Sequence, residues 1–174
     1  MTYLDCSIPK NKERILQIIS KLKEGVEISK ELQIRNLLYN EAYVDLMIAV
    51  CLGHKYNIKT QDGDALDAEG NPVEYKCIVK KNGVYSGSFQ FHWLSKEKIA
   101  KYNQCTHFYF AWRDGFEIEK IINVPRDVLM PEIIKKAGPR GSTAGHKSFS
   151  STTIENLVKT RQAEIVYSSK KLKK

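Results

Sequence analysis

The sequence predicts an α/β or α+β fold, in which helices come first and a central mixed β-sheet flanked by helices follows. The apolar residues recur at helical spacing up to about residue 53, and from His54 onward they alternate as in strands. The chain has 174 residues, of which 42% are hydrophobic, so it can bury a core of its own. We therefore expect a single domain over residues 1–174, without internal repeats.

The N-terminal part predicts three helical segments. Residues 10–23 carry isoleucine and leucine at helical spacing, and Gly25 is expected to end that helix. Residues 29–38 continue as a second helical segment. Asn40 is a suitable N-cap for a third helix that ends at Gly53. Because this third helix is apolar nearly all round, we interpret it as a buried helix or as half of a dimer interface.

From His54 onward, strand and turn signals alternate with short helices. The first predicted elements are a strand over 54–60, a hairpin over 64–76, a turn over 80–83 and a strand or irregular loop over 84–91. A helix capped by Ser95 follows, and after it come a strand over 106–112, a turn over 113–115 and a return strand over 116–124. The last elements are a helix after Pro125 interrupted by Pro131, a flexible basic loop over 138–150, a helix from a capping box at Thr152 and Glu155 to Lys159, and a strand over 163–167.

The hairpin over 64–76 contains the strongest candidate site. Glu74 and Lys76 are two residues apart in a strand-like run, so both side chains should project from the same face. The turn formers at 68–72 fold the chain back and bring Asp64 or Asp67 alongside Glu74. The sequence therefore predicts two carboxylates and one ammonium group on a common patch.

Such a patch suits the hydrolysis of a phosphodiester. Two carboxylates hold a hard divalent cation, which activates a water and neutralises charge that develops on the phosphate. A neighbouring lysine such as Lys76 orients or deprotonates that water and stabilises the transition state. The alternative is that Asp64 is only a turn residue and that Glu74 and Lys76 belong to a solvated strand face.

The overall charge favours a polyanionic partner. The net charge is +8 and the isoelectric point is near 9.2. The segment 138–150 contains three glycines, three serines and the basic residues Arg140, His146 and Lys147, which are groups that phosphates and base edges accept as partners. A surface loop without a role has a similar composition, so that reading also stays open.

Several segments together resemble the PD-(D/E)xK nuclease superfamily, and in particular its type II restriction endonucleases. The resemblance runs from about residue 60 to 150 and is weak in the N-terminal helices. It rests on Asp64, Asp67, Gly70, Glu74 and Lys76, on His92, on residues 99–102 (IAKY), on the turn at 113–115 and on residues 145–147.

The resemblance implies a restriction-endonuclease-like sheet that carries a magnesium site. Asp64, Glu74 and Lys76 would be the catalytic residues, and Asp64 and Glu74 with the Tyr75 carbonyl would hold Mg²⁺, with a two-metal site as an option. It also implies a homodimer on double-stranded DNA. Residues 1–53 would form the dimer interface, 54–124 the catalytic sheet and 138–167 a DNA-contacting loop with the C-terminal helix and strand.

In that family a histidine-bearing segment before the IAKY helix reads bases, and here this segment is 89–93. By chemistry alone Gln90 can pair with adenine and His92 can donate to guanine, although His92 could equally be a structural histidine. The expected DNA-binding residues are Gln90, His92, Arg140, His146, Lys147, Ser150 and Ser151.

We therefore expect a dimeric, Mg²⁺-dependent, site-specific DNA endonuclease whose site is palindromic or nearly so. The alternatives are a structure-selective or repair nuclease on the same core and a DNA-binding module that has lost catalysis. No apolar run approaches the length of a membrane span, and the four scattered cysteines suggest free thiols. The expected location is the cytosol of a prokaryote, and no small-molecule cofactor is expected.

Overall fold

A computed structural model describes residues 9–34, 37–38, 42–57, 63–85, 87–138 and 142–169. These residues form a mixed α/β structure with a mixed central sheet, as the sequence predicts. The chain divides into two compact units, Met1–Ala42 and Tyr43–Lys174. The helices are α1 (Pro9–Glu31), α2 (Ala42–Leu52), α3 (Lys96–Tyr102), α4 (Arg126–Ala137) and α5 (Ser151–Lys159). The strands are β1 (Lys55–Tyr56), β2 (Ala65–Leu66), β3 (Pro72–Lys81), β4 (Val84–Tyr85), β5 (Ser88–Leu94), β6 (His107–Asp114), β7 (Glu117–Pro125), β8 (Ser142–Ser150) and β9 (Glu164–Ser168).

The described residues of the first unit form one long helix, α1, and not the two segments that the sequence predicts. The expected stop at Gly25 is wrong, because α1 continues through this residue to Glu31. A glycine inside a helix costs about 1 kcal/mol relative to alanine, which lowers stability without ending the helix. Apolar side chains of α1 stay exposed, namely Leu16, Ile18, Ile19, Leu22 and Ile28.

In the second unit, α2 covers one face of the central sheet. Its residues Val44, Ile48 and Ala49 are buried in a cluster with Tyr75 and Ile121. The helix ends at Gly53 as predicted, where a φ of 69° turns the chain out of the helix. The sequence places α2 in the helical region 1–53 expected to form a dimer interface, but the apolar face of α2 packs against the sheet. The expected cap Asn40 lies outside the described residues.

The central sheet runs in the order β1-β2-β3-β6-β7-β9, with β4 paired to the far end of β3. β3 and β6 are parallel, and the remaining pairs are antiparallel. The register places Glu74 opposite Phe108 and Lys76 opposite Phe110. β3 is thus an interior strand, which holds both of these residues on a rigid frame.

The other face of the sheet packs on a second core, which includes the two-stranded ribbon of β5 and β8. Phe89, Phe91 and Phe149 of the ribbon are buried there with Phe110 and Trp112 of β6. The prediction of a flexible loop over 138–150 is therefore wrong for residues 142–150. Local composition suggested a loop, but pairing with β5 supplies the backbone partners that make this segment a strand.

Helix ends follow their caps, with two corrections. Ser95 caps α3 as predicted, since its hydroxyl accepts a hydrogen bond from Lys98 N at 3.2 Å. α4 is not interrupted at Pro131, because burial of Leu129, Met130 and Ile133 on its core side offsets the cost of a proline inside a helix, about 3 kcal/mol. The cap of α5 is Ser150 and not Thr152, because the Ser150 hydroxyl accepts from Thr153 N at 3.1 Å.

Candidate active site

Asp64 is fixed at the edge of β3 by its backbone and by its side chain. Its N–H donates to Val73 O at 2.9 Å, and its Oδ2 accepts a hydrogen bond from Tyr75 N at 2.7 Å. Gly63, just before it, has a φ of 82°, and a Cβ there would lie 2.8 Å from Val73 O. A glycine is thus required for Asp64 to approach β3 this closely.

Glu74 and Lys76 form an ion pair on the same face of β3, as their spacing predicts. The Lys76 ammonium donates to Glu74 Oε1 and also to the carbonyl oxygen of Tyr75 at 2.9 Å. The side chains of Lys76 and Glu74 are only 15% and 9% exposed. The second reading of the motif, a solvated strand face, is therefore wrong for these two residues.

Helix α3 closes the site over the two carboxylates. A cleft of about 360 Å³, including the solvent at its mouth, separates the hairpin from α3. The Lys76 ammonium also lies 5.2 Å from the ring centroid of Phe91 and 5.6 Å from that of Tyr102, so aromatic faces line its other side. The residues that line the cleft are Gly63, Asp64, Glu74, Lys98, Lys101, Tyr102 and Cys105.

The electrostatics of the cleft raise the pKa of both Asp64 and Lys76. Burial and the nearby charge of Glu74 raise the pKa of Asp64 to about 6, although Lys76 opposes this shift. Burial by itself would lower the pKa of Lys76, but Glu74, Tyr102 and Asp64 together outweigh burial and raise that pKa. Lys76 is therefore an ammonium ion at neutral pH, and it acts here as a donor.

The donor set fits a hard divalent cation. Asp64 and Glu74 line one cleft, and the Tyr75 carbonyl shares the Lys76 ammonium with Glu74, so three oxygen donors lie close together. Burial and then the charge of Glu74 raise the pKa of Asp64, and a bound cation would favour the ionised form of this carboxylate. Among the described residues no group of three or more His, Cys, Asp or Glu side chains surrounds one point, so water would complete the coordination.

Asp67 is a turn residue, which settles the choice that the sequence leaves open between Asp64 and Asp67. Asp67 Oδ1 accepts a hydrogen bond from Asn71 N at 2.7 Å, and Asp67 N donates to Asn71 O at 3.0 Å. Although burial opposes it, hydrogen bonding from Asn71 lowers the pKa of Asp67. This carboxylate is committed to the hairpin turn, and Asp64 is the one that joins Glu74 in the cleft.

The residues expected to contact DNA are spread over the ribbon and the start of α5. Gln90 and His92 are exposed on β5, between the buried Phe89 and Phe91. The register pairs Gln90 with Ser148 and His92 with His146. Trp93 follows at a bulge, with a φ of 52° and a 62% exposed side chain.

The other expected DNA-contacting residues occupy varied positions. Lys147 is half-buried and pairs with Phe91, while Ser150 caps α5 and Ser151 is its first residue. Arg140 lies outside the described residues, and His146 is described by its backbone alone. The structure thus brings Gln90, His92 and Lys147 onto one ribbon, but the register places Lys147 on the face of Phe91, opposite the face of Gln90 and His92.

Four residues of the cleft come from α3 and from the turn that follows it, namely Lys98, Lys101, Tyr102 and Cys105. No local pattern in the sequence places them beside Asp64. The IAKY run, residues 99–102, was noticed only through resemblance. On the opposite face of the sheet, a hydrogen bond of 2.9 Å joins His54 Nδ1 to the Tyr75 hydroxyl, so His54 has a structural contact away from the cleft.

Comparison with protein families and with curated proteins found no match for the chain. In the described part of the chain, no helix is long and apolar enough to cross a membrane. Cys51, Cys77 and Cys105 are free thiols, in agreement with their scattered positions in the sequence.

Proposed function

We propose that this protein is a Mg²⁺-dependent endonuclease that cleaves double-stranded DNA at a short palindromic or near-palindromic site, with a restriction-endonuclease-like fold. The observation that carries the proposal is that Asp64 and Glu74 line one cleft, while Lys76 of the same interior strand as Glu74 forms an ion pair with Glu74. Metal-assisted hydrolysis of a phosphodiester uses carboxylates to hold the metal ion and a positive charge to stabilise the transition state. The net charge of +8 is consistent with a polyanionic substrate.

In the proposed reaction, Asp64, Glu74 and the Tyr75 carbonyl hold Mg²⁺. When bound, the ion supplies positive charge for the phosphate and lowers the pKa of a water. Glu74 and the Tyr75 carbonyl both accept hydrogen bonds from the Lys76 ammonium, and both would also be ligands of the ion. The Lys76 ammonium would donate to the charge that develops on the phosphate, and the proton of the attacking water would pass to solvent, because a protonated lysine cannot accept it.

The ribbon of β5 and β8 is the proposed reading surface for DNA. A two-stranded ribbon fits the major groove, and the exposed Gln90 and His92 carry groups that pair with adenine and guanine. Lys147, Arg140, His146, Ser150 and Ser151 complete the proposed set of DNA contacts. We further propose that the protein acts as a homodimer through its N-terminal helical region, because two-fold symmetry of the protein matches a palindromic site.

The test is digestion of unmethylated phage DNA with and without Mg²⁺, followed by sequencing of the ends. Discrete bands that share an end sequence support the proposal and give the site and the stagger. A smear, or no discrete bands from defined plasmids, indicates a structure-selective or repair nuclease on the same core. Intact DNA together with salt-dependent binding indicates a DNA-binding module without catalysis.

Variants connect the activity to the cleft. Asp64→Ala and Lys76→Ala should abolish cleavage while DNA binding survives. Matched controls are Glu69→Ala, an exposed carboxylate of the same hairpin, and Lys81→Ala, an exposed lysine at the end of β3. Both controls should cleave at the wild-type rate, and full cleavage by either cleft variant contradicts the proposal.

A further inference from the structure

We propose that Lys98 binds the DNA backbone phosphate that enters the cleft, so that α3 supplies a phosphate-binding residue in addition to the carboxylate and lysine motif. The inference rests on the proposed function and adds a residue that the sequence motif does not contain. Lys98 lines the same cleft as Asp64 and Glu74, although it lies on a different element.

Contacts of both its backbone and its side-chain ammonium group fix the position of Lys98. Its backbone N–H donates to the Ser95 hydroxyl at 3.2 Å, which holds the first turn of α3. Its ammonium lies 4.9 Å from the ring centroid of Tyr102, a buried side chain at the other end of the same helix. The Tyr102 ring also contacts the Lys76 ammonium at 5.6 Å, so this one ring has an ammonium group of each lysine near it.

The two ammonium groups differ in what they are free to do. Lys76 donates both to Glu74 and to the Tyr75 carbonyl, and its side chain is only 15% exposed. Lys98 is half-buried and has no carboxylate within salt-bridge distance among the described residues. Its contact with a ring leaves the donors of the ammonium available to an oxyanion.

The charges in the cleft favour such a group. Asp64 and Glu74 carry two negative charges, and a divalent cation with Lys76 would carry three positive charges, so one net positive charge would remain to meet the phosphodiester. The phosphate that then enters brings its own negative charge, and more develops in the transition state. Lys98, with the more exposed Lys101 one turn further along α3, supplies further positive charge beside Asp64, and the described residues place no carboxylate in a salt bridge with either lysine.

The test compares Lys98→Ala with Lys96→Ala, an exposed lysine of the same helix that does not line the cleft. In steady-state cleavage, Lys98→Ala should raise KM about tenfold with a smaller change in kcat, because one charge-assisted phosphate contact is lost. Lys98→Arg should restore most of the lost affinity. Lys96→Ala should resemble the wild type.

A second measurement keeps this inference separate from the proposed activity. Binding of a fluorescent random-sequence duplex is titrated against salt in an Asp64→Asn background, which is expected not to cleave. The slope of log K against log salt should fall by about 0.9 on adding Lys98→Ala, the value for one phosphate contact. It should not change on adding Lys96→Ala.

The outcomes separate the two proposals. If the wild type cleaves and Lys98→Ala behaves as Lys96→Ala in both KM and salt slope, the role of Lys98 is overturned while the nuclease stands. If the wild type does not cleave but the slope still depends on Lys98, the nuclease fails and phosphate binding by Lys98 is supported. Absence of both cleavage and binding overturns both proposals.

Discussion

The carboxylate of Asp64 accepts a hydrogen bond of 2.7 Å from the backbone N–H of Tyr75. β2 pairs with β3 only at Pro72 and Val73. Beyond Val73, the Asp64 side chain accepts the hydrogen bond of the Tyr75 N–H that a neighbouring strand would otherwise accept. The same peptide chain segment presents the Tyr75 carbonyl to Lys76. One residue of β3 thus positions both the first carboxylate and the lysine of the proposed site.

The first prediction concerns the pH dependence of stability without metal. The pKa of Asp64 is raised from its ordinary value of 3.8 to about 6 in the folded protein. Between these two values the folded state keeps a proton that the unfolded chain has lost, so stability falls as pH rises from about 4 to about 6 and then levels off. Asp64→Asn, which cannot ionise, should lack this fall when urea unfolding is followed at several pH values in EDTA.

Mg²⁺ should reverse the effect in the wild type. At pH 7 the ion should raise the Tm of the wild type in a concentration-dependent manner, because it binds only the folded state. The Tm of Asp64→Asn should increase little with Mg²⁺. Its cleavage rate should fall by more than about 100-fold, because loss of an outer-shell partner of a metal already costs up to about 100-fold and Asp64 would be a direct ligand. An equal increase in Tm for both proteins would contradict metal binding at Asp64.

The second prediction concerns Gly63. Gly63→Ala places a Cβ 2.8 Å from Val73 O at a φ of 82°, so we expect a loss of about 2 to 3 kcal/mol in the free energy of unfolding. Cleavage should fall as well, because Asp64 is displaced from Tyr75 N. Gly70→Ala is the control, since its φ is 87° but no atom lies within 4 Å of the added Cβ.

Gly70→Ala should cost only the strain of the backbone, about 1 to 2 kcal/mol. Urea unfolding curves of both variants measure the difference. Equal losses for the two variants would show that close packing against β3 is not what requires a glycine at position 63.

The third prediction concerns the reading surface. Gln90→Ala should weaken the discrimination between the preferred site and other sites by about 1 to 3 kcal/mol. The loss of specificity should be confined to one base pair. Gln162→Ala, an exposed glutamine between α5 and β9, should leave the site preference unchanged. Sequencing the ends of phage DNA fragments gives both results, and an unchanged preference in Gln90→Ala would remove this residue from the reading surface.

The fourth prediction uses the two tryptophans as reporters. Trp93 is 62% exposed beside the ribbon, whereas Trp112 is 1% exposed in the core. DNA that lies on the ribbon should quench the emission of Trp93 and leave that of Trp112 unchanged. In Trp93→Phe the DNA-dependent change in fluorescence should disappear, and its persistence would place the DNA elsewhere.

The local parts of this structure follow from the sequence because short-range geometry decides them. Glu74 and Lys76 share a face because strand side chains alternate, and Ser95 begins α3 because its hydroxyl reaches an N–H three residues on. The hairpin turn at 68–72 also follows from its turn formers.

Only the tertiary structure decided which groups meet across long distances in the chain. By sequence, Asp64 and Asp67 were both candidates for the carboxylate beside Glu74, and only the hydrogen bond from Asn71 to Asp67 in the turn separates them. Lys98 lines the cleft only because α3 packs over the hairpin. Ser142–Ser150 is a strand because β5, which lies two helices and two strands earlier in the chain, offers it backbone partners and a shared core. Such pairings depend on burial and hydrogen-bond partners that lie far away in the chain, and local composition does not encode them.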